Sequence, residues 1–291
     1  MNSSMKIGVL AADGLEVGLV QDHKLVGTLH SFEGVQSFPG REIAQILRER
    51  IEQACFANSI NIEELESIGI GIAGIVRDGV IEESPNIPQM KGLKIREALS
   101  MVGLKRVQVI NDADAMAAGI AATRGALEKL VRVWTLGHGV GYGRYPQTDG
   151  PGEGGHTVVS LDPKEHYCGC GGKGHMEGIV GNRSIRLRFL DLEPEEVFEQ
   201  AKKGTDVRCI AFVKTWHRAL AAATATSVHM EGGGKFYISG LNAPHVDTER
   251  LLRYLHEMVK MTPLQGSVFE KVDTTAELAV IGSCVGLAPG R

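Results

Sequence analysis

The order of apolar runs in the first part of the chain restricts its fold more than any other feature. Runs at 6–12, 15–21 and 25–31 are separated only by Asp13-Gly14 and by Asp22-His23-Lys24. Short apolar runs joined by such residues predict an antiparallel meander, because Asp and Gly tolerate the positive φ of tight hairpins. A helix over 41–57 follows, where Ile43, Ile46, Leu47, Ile51 and Ala54 recur at helical spacing. The pattern then alternates: a buried strand at 67–72, a helix at 95–101, a strand at 106–110, and a helix of mostly small residues at 113–122. A meander followed by alternating helices and strands makes a mixed sheet covered on both faces, an α/β fold.

A second set begins near Val131, with strands at 131–136 and 140–145, helices at 194–203 and 207–229, and a strand at 235–239. Each set has the element order of the ribonuclease H-like half of an actin-like ATPase. A chain of 291 residues is long enough for two such domains. The expected division is a small N-terminal domain of 1–112 plus a C-terminal helix over 275–291, and a larger one of 113–274 carrying a glycine-rich loop at 156–177. No low-complexity linker intervenes, so the boundary near Asp112 is expected to be a hinge, and ligands are expected in the cleft between the halves.

Composition removes other classes. No apolar run reaches the roughly 18 residues of a membrane span, and the run at 6–12 is too short for a signal-peptide core. A net charge of −4 argues against nucleic acid as the main partner. The best basic cluster, Arg183, Arg186 and Arg188, reads as one solvated helix face. Of the five cysteines, Cys55, Cys209 and Cys284 stand alone in apolar stretches and read as reduced core residues. The odd count without paired spacing fits a reducing, cytoplasmic setting.

Four segments carry chemistry. In Asn111-Asp112-Ala113-Asp114-Ala115 a carboxylate stands where a strand ends and a helix begins, which suits a base at a ligand site. A helix N-cap explains the same residues equally simply. Glu153-Gly154-Gly155-His156 and the segment from Cys168 to Glu177 supply two imidazoles and two thiolates: His156, Cys168, Cys170 and His175. Zinc favours that donor set in a tetrahedral, closed and hence structural site, although the Cys-x-Cys spacing is tighter than that of zinc fingers. Two reduced thiols in a flexible loop are the alternative. Gly137-His138-Gly139-Val140-Gly141-Tyr142-Gly143, between two apolar strands, reads either as a phosphate-cradling loop or as a tight hairpin.

In order and spacing these segments resemble the ROK family, which groups sugar kinases with sugar-responsive repressors. Ser84-Pro85-Asn86-Ile87-Pro88 is similar to the family's Pro-Asn-Leu-Pro segment, and Asn111-Asp112 to its Asn-Asp pair. Residues 153–156 match Glu-x-Gly-His, and 168–177 match the family's cysteine motif, with His175 in place of its third cysteine. The resemblance implies an actin-like ATPase fold and a glucokinase-like enzyme moving the γ-phosphoryl group of Mg·ATP to a hexose, at the 6-hydroxyl. Asp112 would be the catalytic base. Asn86, Asn111, Asp112, Glu153, His156 and Glu177 would hold the hexose or N-acetylhexosamine, and His156 would serve both sugar and zinc. Gly137, Gly139, Gly141 and Gly240 would face the nucleotide, and a homodimer would be usual.

The nucleotide side departs from the family. Its Asp-x-Gly-Gly-Thr loop is here Leu10-Ala11-Ala12-Asp13-Gly14, His138 replaces a threonine, and the adenosine segment reads Ser239-Gly240-Leu241-Asn242. The second expectation is therefore a hexose-binding protein with impaired catalysis. A DNA-binding repressor is not expected, because a first strand near residue 6 leaves no room for a helix-turn-helix ahead of it.

Overall fold

The structure is a computed structural model and describes residues 4–104, 106–147, 152–273 and 276–286. The chain begins β1 (Lys6–Ala11), β2 (Leu15–Gln21), β3 (Lys24–Phe32), α1 (Ile43–Ala57), β4 (Ser67–Ile72), β5 (Ile75–Arg77) and β6 (Val80–Glu83). It continues with α2 (Ile95–Met101), β7 (Val107–Asn111), α3 (Asp112–Thr123), β8 (Val131–Leu136) and β9 (Val140–Tyr145). Then follow α4 (Glu177–Val180), α5 (Asn182–Arg188), α6 (Pro194–Lys203), α7 (Val207–Glu231), β10 (Lys235–Ser239), α8 (Thr248–Met258), β11 (Val268–Lys271) and α9 (Ala276–Ser283).

The chain divides into two compact units. The first comprises the described parts of Met1–Val131, Gly143–Pro151 and Thr275–Arg291; the second comprises Arg132–Tyr142 and the described part of Gly152–Thr274. The first unit is built on a five-stranded sheet of order β3-β2-β1-β4-β7. β1, β2 and β3 form the antiparallel meander, and β4 and β7 join β1 in parallel. This is the ribonuclease H-like arrangement. The β2–β3 turn takes positive φ at Asp22 and His23, whereas Asp13-Gly14 turns without it.

Strand alternation gives β1 two faces. Ile7, Val9 and Ala11 are fully buried in the core that includes Ile43, Leu47 and Ile51 of α1. On the other face a Cβ on Gly8 would come within 2.1 Å of the Val280 carbonyl oxygen, and Leu10 packs with Ile110, Ala115 and Ala279. The small residues of α3 have the same cause. A Cβ at Gly119 would lie 1.8 Å from the Leu278 carbonyl oxygen, and one at Gly282 would lie 1.7 Å from that of Ala115, so α3 and α9 meet backbone to backbone.

That packing places α3 in the first unit, which differs from a division near Asp112. The helix expected over 275–291 is formed as α9; residues 275 and 287–291 lie outside the described residues. The second unit carries a four-stranded sheet of order β11-β10-β8-β9, with β8, β10 and β11 parallel. It repeats the first sheet's order, but among the described residues no strand stands outside β9 as β3 stands outside β2. Its core gathers Trp134, Phe236 and Ile238 from the sheet with Trp216 and Leu220 of α7 and Leu251 of α8. The β5–β6 hairpin, α8 and β11 were not apparent from the sequence pattern.

Candidate functional site

In the first unit the residues of interest gather at the carboxyl ends of β1, β4 and β7. Asn111 is the N-cap of α3: its side-chain oxygen accepts from the N–H groups of Ala113 at 2.8 Å and Asp114 at 3.2 Å. Its amide donates to the Gly74 carbonyl at 2.9 Å, tying the end of β7 to the turn after β4. The capping role thus belongs to Asn111, and Asp112 is the first residue of the helix. A carboxylate in a first helical turn is stabilised by the helix dipole, which favours its ionised, proton-accepting form.

Asp114, two residues on, is 9% exposed. Burial raises its carboxyl pKa, opposed by bonds from the Arg144 backbone N–H at 2.9 Å and the Gln147 amide at 3.1 Å. It borders a cavity of about 890 Å³ with Arg106, Gln108, Arg144 and Gln147, and none of the residues expected to bind sugar lines that cavity. Asp114 is thus a structural tether.

Leu10 is part of the hydrophobic packing beside α3 and α9. Asp13 is exposed, and its carboxylate accepts from the Asn86 amide at 3.0 Å. The sequence places these two residues 73 positions apart and gives no signal of the contact.

In the second unit the strand β9 is followed by a loop that folds back on itself. His175 bridges Val158, and the N–H of Met176 donates to the Thr157 carbonyl at 2.9 Å. Gly174 makes the closure feasible: its φ is +70°, and a Cβ there would lie 1.9 Å from the Ser160 carbonyl oxygen. The result brings His156 and His175 together, with Cys168 and Cys170 between them. One donor atom from each of the four residues lies within 4.8 Å of all the others.

Four of the six donor–donor spacings are close to the edges of a coordination tetrahedron. Cys168 Sγ is 3.4 Å from Cys170 Sγ and 3.4 Å from His156 Nδ1; His175 Nδ1 is 3.2 Å from Cys170 Sγ and 3.3 Å from His156 Nδ1. Sulfur at about 2.3 Å and nitrogen at about 2.0–2.1 Å from one ion give tetrahedral edges of roughly 3.3–3.8 Å. The donor set therefore fits zinc, bound through Nδ1 of both histidines. Burial pushes the Cys168 thiol up to about 12, opposed by a hydrogen bond from the Cys170 backbone and reinforced by the Cys170 side chain and Glu177. Such a thiol becomes a thiolate only beside a compensating positive charge.

Glu177 links this cluster to the glycine turn. It accepts from the Cys168 thiol at 3.3 Å through Oε1 and from the Val140 N–H at 3.1 Å through Oε2. The other ring nitrogen of His156, Nε2, lies 3.6 Å from Glu153 Oε2. His156, Glu153 and Glu177 are thus joined, directly or through Cys168, to the same four-residue cluster.

The turn expected to face phosphate is braced from within the second unit. The Gly137 N–H donates to the Gly139 carbonyl at 3.0 Å, and the carbonyls of Gly137 and His138 accept from the N–H groups of Asn182 at 2.9 Å and Arg183 at 3.2 Å. Gly141 lies within β9. Gly240, at φ +99°, sits against β8 so closely that a Cβ would fall 2.3 Å from the Leu136 carbonyl oxygen. The two segments are joined by the buried pair Asn182 and Asn242, whose amides bond at 2.6 Å. Asn182 stands in no motif, and although Asn242 closes the adenosine segment, nothing in the sequence signals that the two pair. The basic residues of α5 are engaged locally: Arg186 pairs with Glu193 at 2.9 Å, and Arg188 bonds Glu165 and the Gly178 carbonyl. Cys55, Cys209 and Cys284 are free and buried.

Two ribonuclease H-like sheets, an Asn-Asp pair at a strand-to-helix junction and a Cys/His cluster with donors spaced to suit a metal ion define a protein with the actin-like ATPase fold. The family model that matches is the ROK family, over residues 15–241, and the chain belongs to that family. It is 31% identical over 179 residues to a glucokinase from Pyrobaculum calidifontis, covering 56% of this chain and 58% of that protein. It is 26% identical over 177 residues to an N-acetylmannosamine kinase from Haemophilus influenzae, covering 57% and 59%. The matches thus span little more than half the length of these curated relatives.

Among solved structures, the ROK hexokinase from Thermus thermophilus superposes with a TM-score of 0.78 at 22% identity over 96% of both chains. A ROK family glucokinase from Streptomyces griseus, in complex with glucose and AMPPNP, gives 0.68 at 20% identity over 96% of this chain and 98% of that one. These likenesses establish the fold. No helix among the described residues is long and apolar enough to cross a membrane.

Proposed function

We propose that this chain is a sugar kinase that transfers the γ-phosphoryl group of Mg·ATP to a hexose, with the 6-hydroxyl as acceptor. The observation that carries the reading is the division of labour at β7–α3: Asn111 holds the cap, so capping does not account for Asp112. In the reaction Asp112 takes the hydroxyl proton, the sugar oxygen forms a bond to the γ-phosphorus, and the bond to the bridging oxygen breaks to release ADP. Asn86, Asn111, Asp112, Glu153, His156 and Glu177 are the hexose ligands, since carboxylates and amides match the alternating donors and acceptors of a polyol. Gly137, Gly139, Gly141 and Gly240 serve the nucleotide.

The four-donor cluster holds zinc, and with four protein ligands it leaves no open position, so its role is structural. Zinc would fix the His156 ring by one nitrogen and leave Nε2 for Glu153 and the sugar. Five free cysteines suit a reducing compartment, the cytoplasm.

A second reading, a hexose-binding protein with impaired catalysis, is favoured by Leu10. Where the family resemblance asks for a carboxylate near magnesium, this chain has a hydrophobic side chain packed against Ile110, Ala115 and Ala279. The test is ATP consumption with glucose, mannose, fructose and N-acetylated hexosamines, beside calorimetric sugar binding without nucleotide. Sugar-dependent ADP release supports the kinase. Binding without turnover selects the second reading, and no sugar binding overturns both.

A further inference from the structure

The β1–β2 turn holds a contact that the family resemblance does not account for. Asp13 stands at a position where the family has glycine, and in this chain its carboxylate accepts a hydrogen bond from the Asn86 amide nitrogen at 3.0 Å. The turn that carries it is braced: the Gln36 side chain donates to the Asp13 carbonyl, and the Gln36 carbonyl accepts from the side chain of Gln89, three residues beyond Asn86. Both ends of the contact are therefore tied to the same short stretch, Gln36 on one side and Gln89 on the other.

An ionised carboxylate only accepts hydrogen bonds. The edge of Asn86 that faces Asp13 must therefore be its NH₂, and this settles an ambiguity that an isolated amide leaves open. With the nitrogen held, Oδ1 of Asn86 is presented as an acceptor. Asn86 with a free amide could turn either edge to a ligand and would discriminate poorly between a hydroxyl that donates and a group that only accepts.

We propose that Asp13 is a positioning residue for sugar selectivity: it holds the Asn86 amide in one orientation, so that Oδ1 meets a donating hydroxyl of the substrate. The proposal rests on the reading of Asn86 as a hexose ligand. It gives Asp13 a role on the sugar side of the chemistry instead of leaving it as a stray charge where a phosphate loop would lie. Asp13→Asn keeps a hydrogen bond to Asn86 but allows it in either direction, so orientation is lost while contact is kept.

The experiment is a calorimetric double-mutant cycle without nucleotide, on the intact chain, with glucose and N-acetylmannosamine as probes. Asp13→Gly should weaken glucose binding about ten-fold and shift the ratio of the two sugars' affinities, as expected for loss of a charge-assisted bond. Asp13→Asn should fall between Asp13→Gly and the parent, a grading that a merely structural role would not produce. In an Asn86→Ala background Asp13→Gly should change neither affinity. Both positions are exposed and glycine is the family's residue at 13, so the variants should fold; thermal melts check this. If Asn86→Ala weakens sugar binding and Asp13→Gly does not, the positioning role is overturned while the sugar reading stands. If Asp13→Gly tightens Mg·ATP and leaves sugar untouched, Asp13 acts on the nucleotide and the proposal is likewise overturned. If the parent binds neither sugar, the hexose reading falls and this proposal with it.

Discussion

The Cys/His loop of the second unit and the β1–β2 turn of the first unit have met opposite fates. In the loop, four soft or borderline donors converge within 4.8 Å, a fifth residue, Glu177, ties them to the Val140 N–H, and His175 supplies a donor where the family resemblance shows a cysteine. The substitution changed the donor atom and kept the geometry. In the turn, the position that should carry a carboxylate carries Leu10, and its side chain has joined the hydrophobic contact with α3 and α9. A coordination shell tolerates exchange only between ligating atoms. A strand-end position beside a core can instead be absorbed into packing once its ligand is no longer demanded.

The comparison can be broken most directly at Asp112. If the first unit retains its chemistry despite Leu10, Asp112→Asn should lower the turnover number about 10²–10⁴-fold, the usual cost of losing a general base. Hexose binding measured by calorimetry should stay close to that of the parent. Turnover equal to the parent's would remove Asp112 from the mechanism.

Metal removal tests the other side. Elemental analysis should find about one zinc per chain, as a closed four-ligand site requires. Cys168→Ser, which removes one of the four donor atoms, should weaken zinc retention by at least about 10–100-fold in chelator competition. Hexose affinity should fall along with the metal, since the same loop carries His156 and Glu177. Full hexose affinity in metal-free protein would separate the cluster from the sugar.

Leu10→Asp sharpens the contrast. Restoring a carboxylate should not simply restore a magnesium ligand, because it exchanges an apolar contact with Ile110, Ala115 and Ala279 for a charge. We expect a loss of about 2 kcal/mol in urea unfolding, within the range for a half-buried position given an unpaired charge. No loss of stability, with tighter Mg·ATP binding, would show that the turn is still a ligand site. The smallest effect should come from Asn111→Ala, which removes the cap of α3. About 1 kcal/mol of stability is expected to go, with a fall in turnover if Asp112 is thereby displaced.

Much of the fold was legible because its signals are local. β2, β4, β8, β9, β10, α2 and α6 lie where periodicity and turn residues predict them. The Asp22-His23 turn took the positive φ that hairpin chemistry suggests, while Asp13-Gly14 did not; there the Ala12 N–H donates to the Gly14 carbonyl, and Gln36 and Asn86 contact Asp13. The metal cluster was legible for a similar reason. Its donors fall in one short loop, so residue type and spacing nearly suffice.

The roles that escaped sequence reasoning are those that depend on a distant partner. Asn182 and Asn242 join the glycine turn to the segment after β10 across 60 positions. Asp114 and Asp112 are both carboxylates of one motif, and burial with hydrogen bonds from Arg144 and Gln147 makes Asp114 a tether, while Asp112 remains the proposed base.

What the sequence by itself determined is most of the elements, though not the β5–β6 hairpin, α8 or β11, together with the family and the candidate donors of the Cys/His loop, since each follows from residues near one another in the chain. Which residue of Asn111-Asp112 caps the helix, where Leu10 puts its side chain and what Asp13 touches were decided by tertiary structure alone. Those outcomes depend on which backbone segment is brought alongside: α9 against α3 and β1, the 73–74 turn against Asn111, and Asn86 against Asp13. A hydrogen bond or a packed methyl group reports its partner only in space, and the sequence records neither its distance nor its direction.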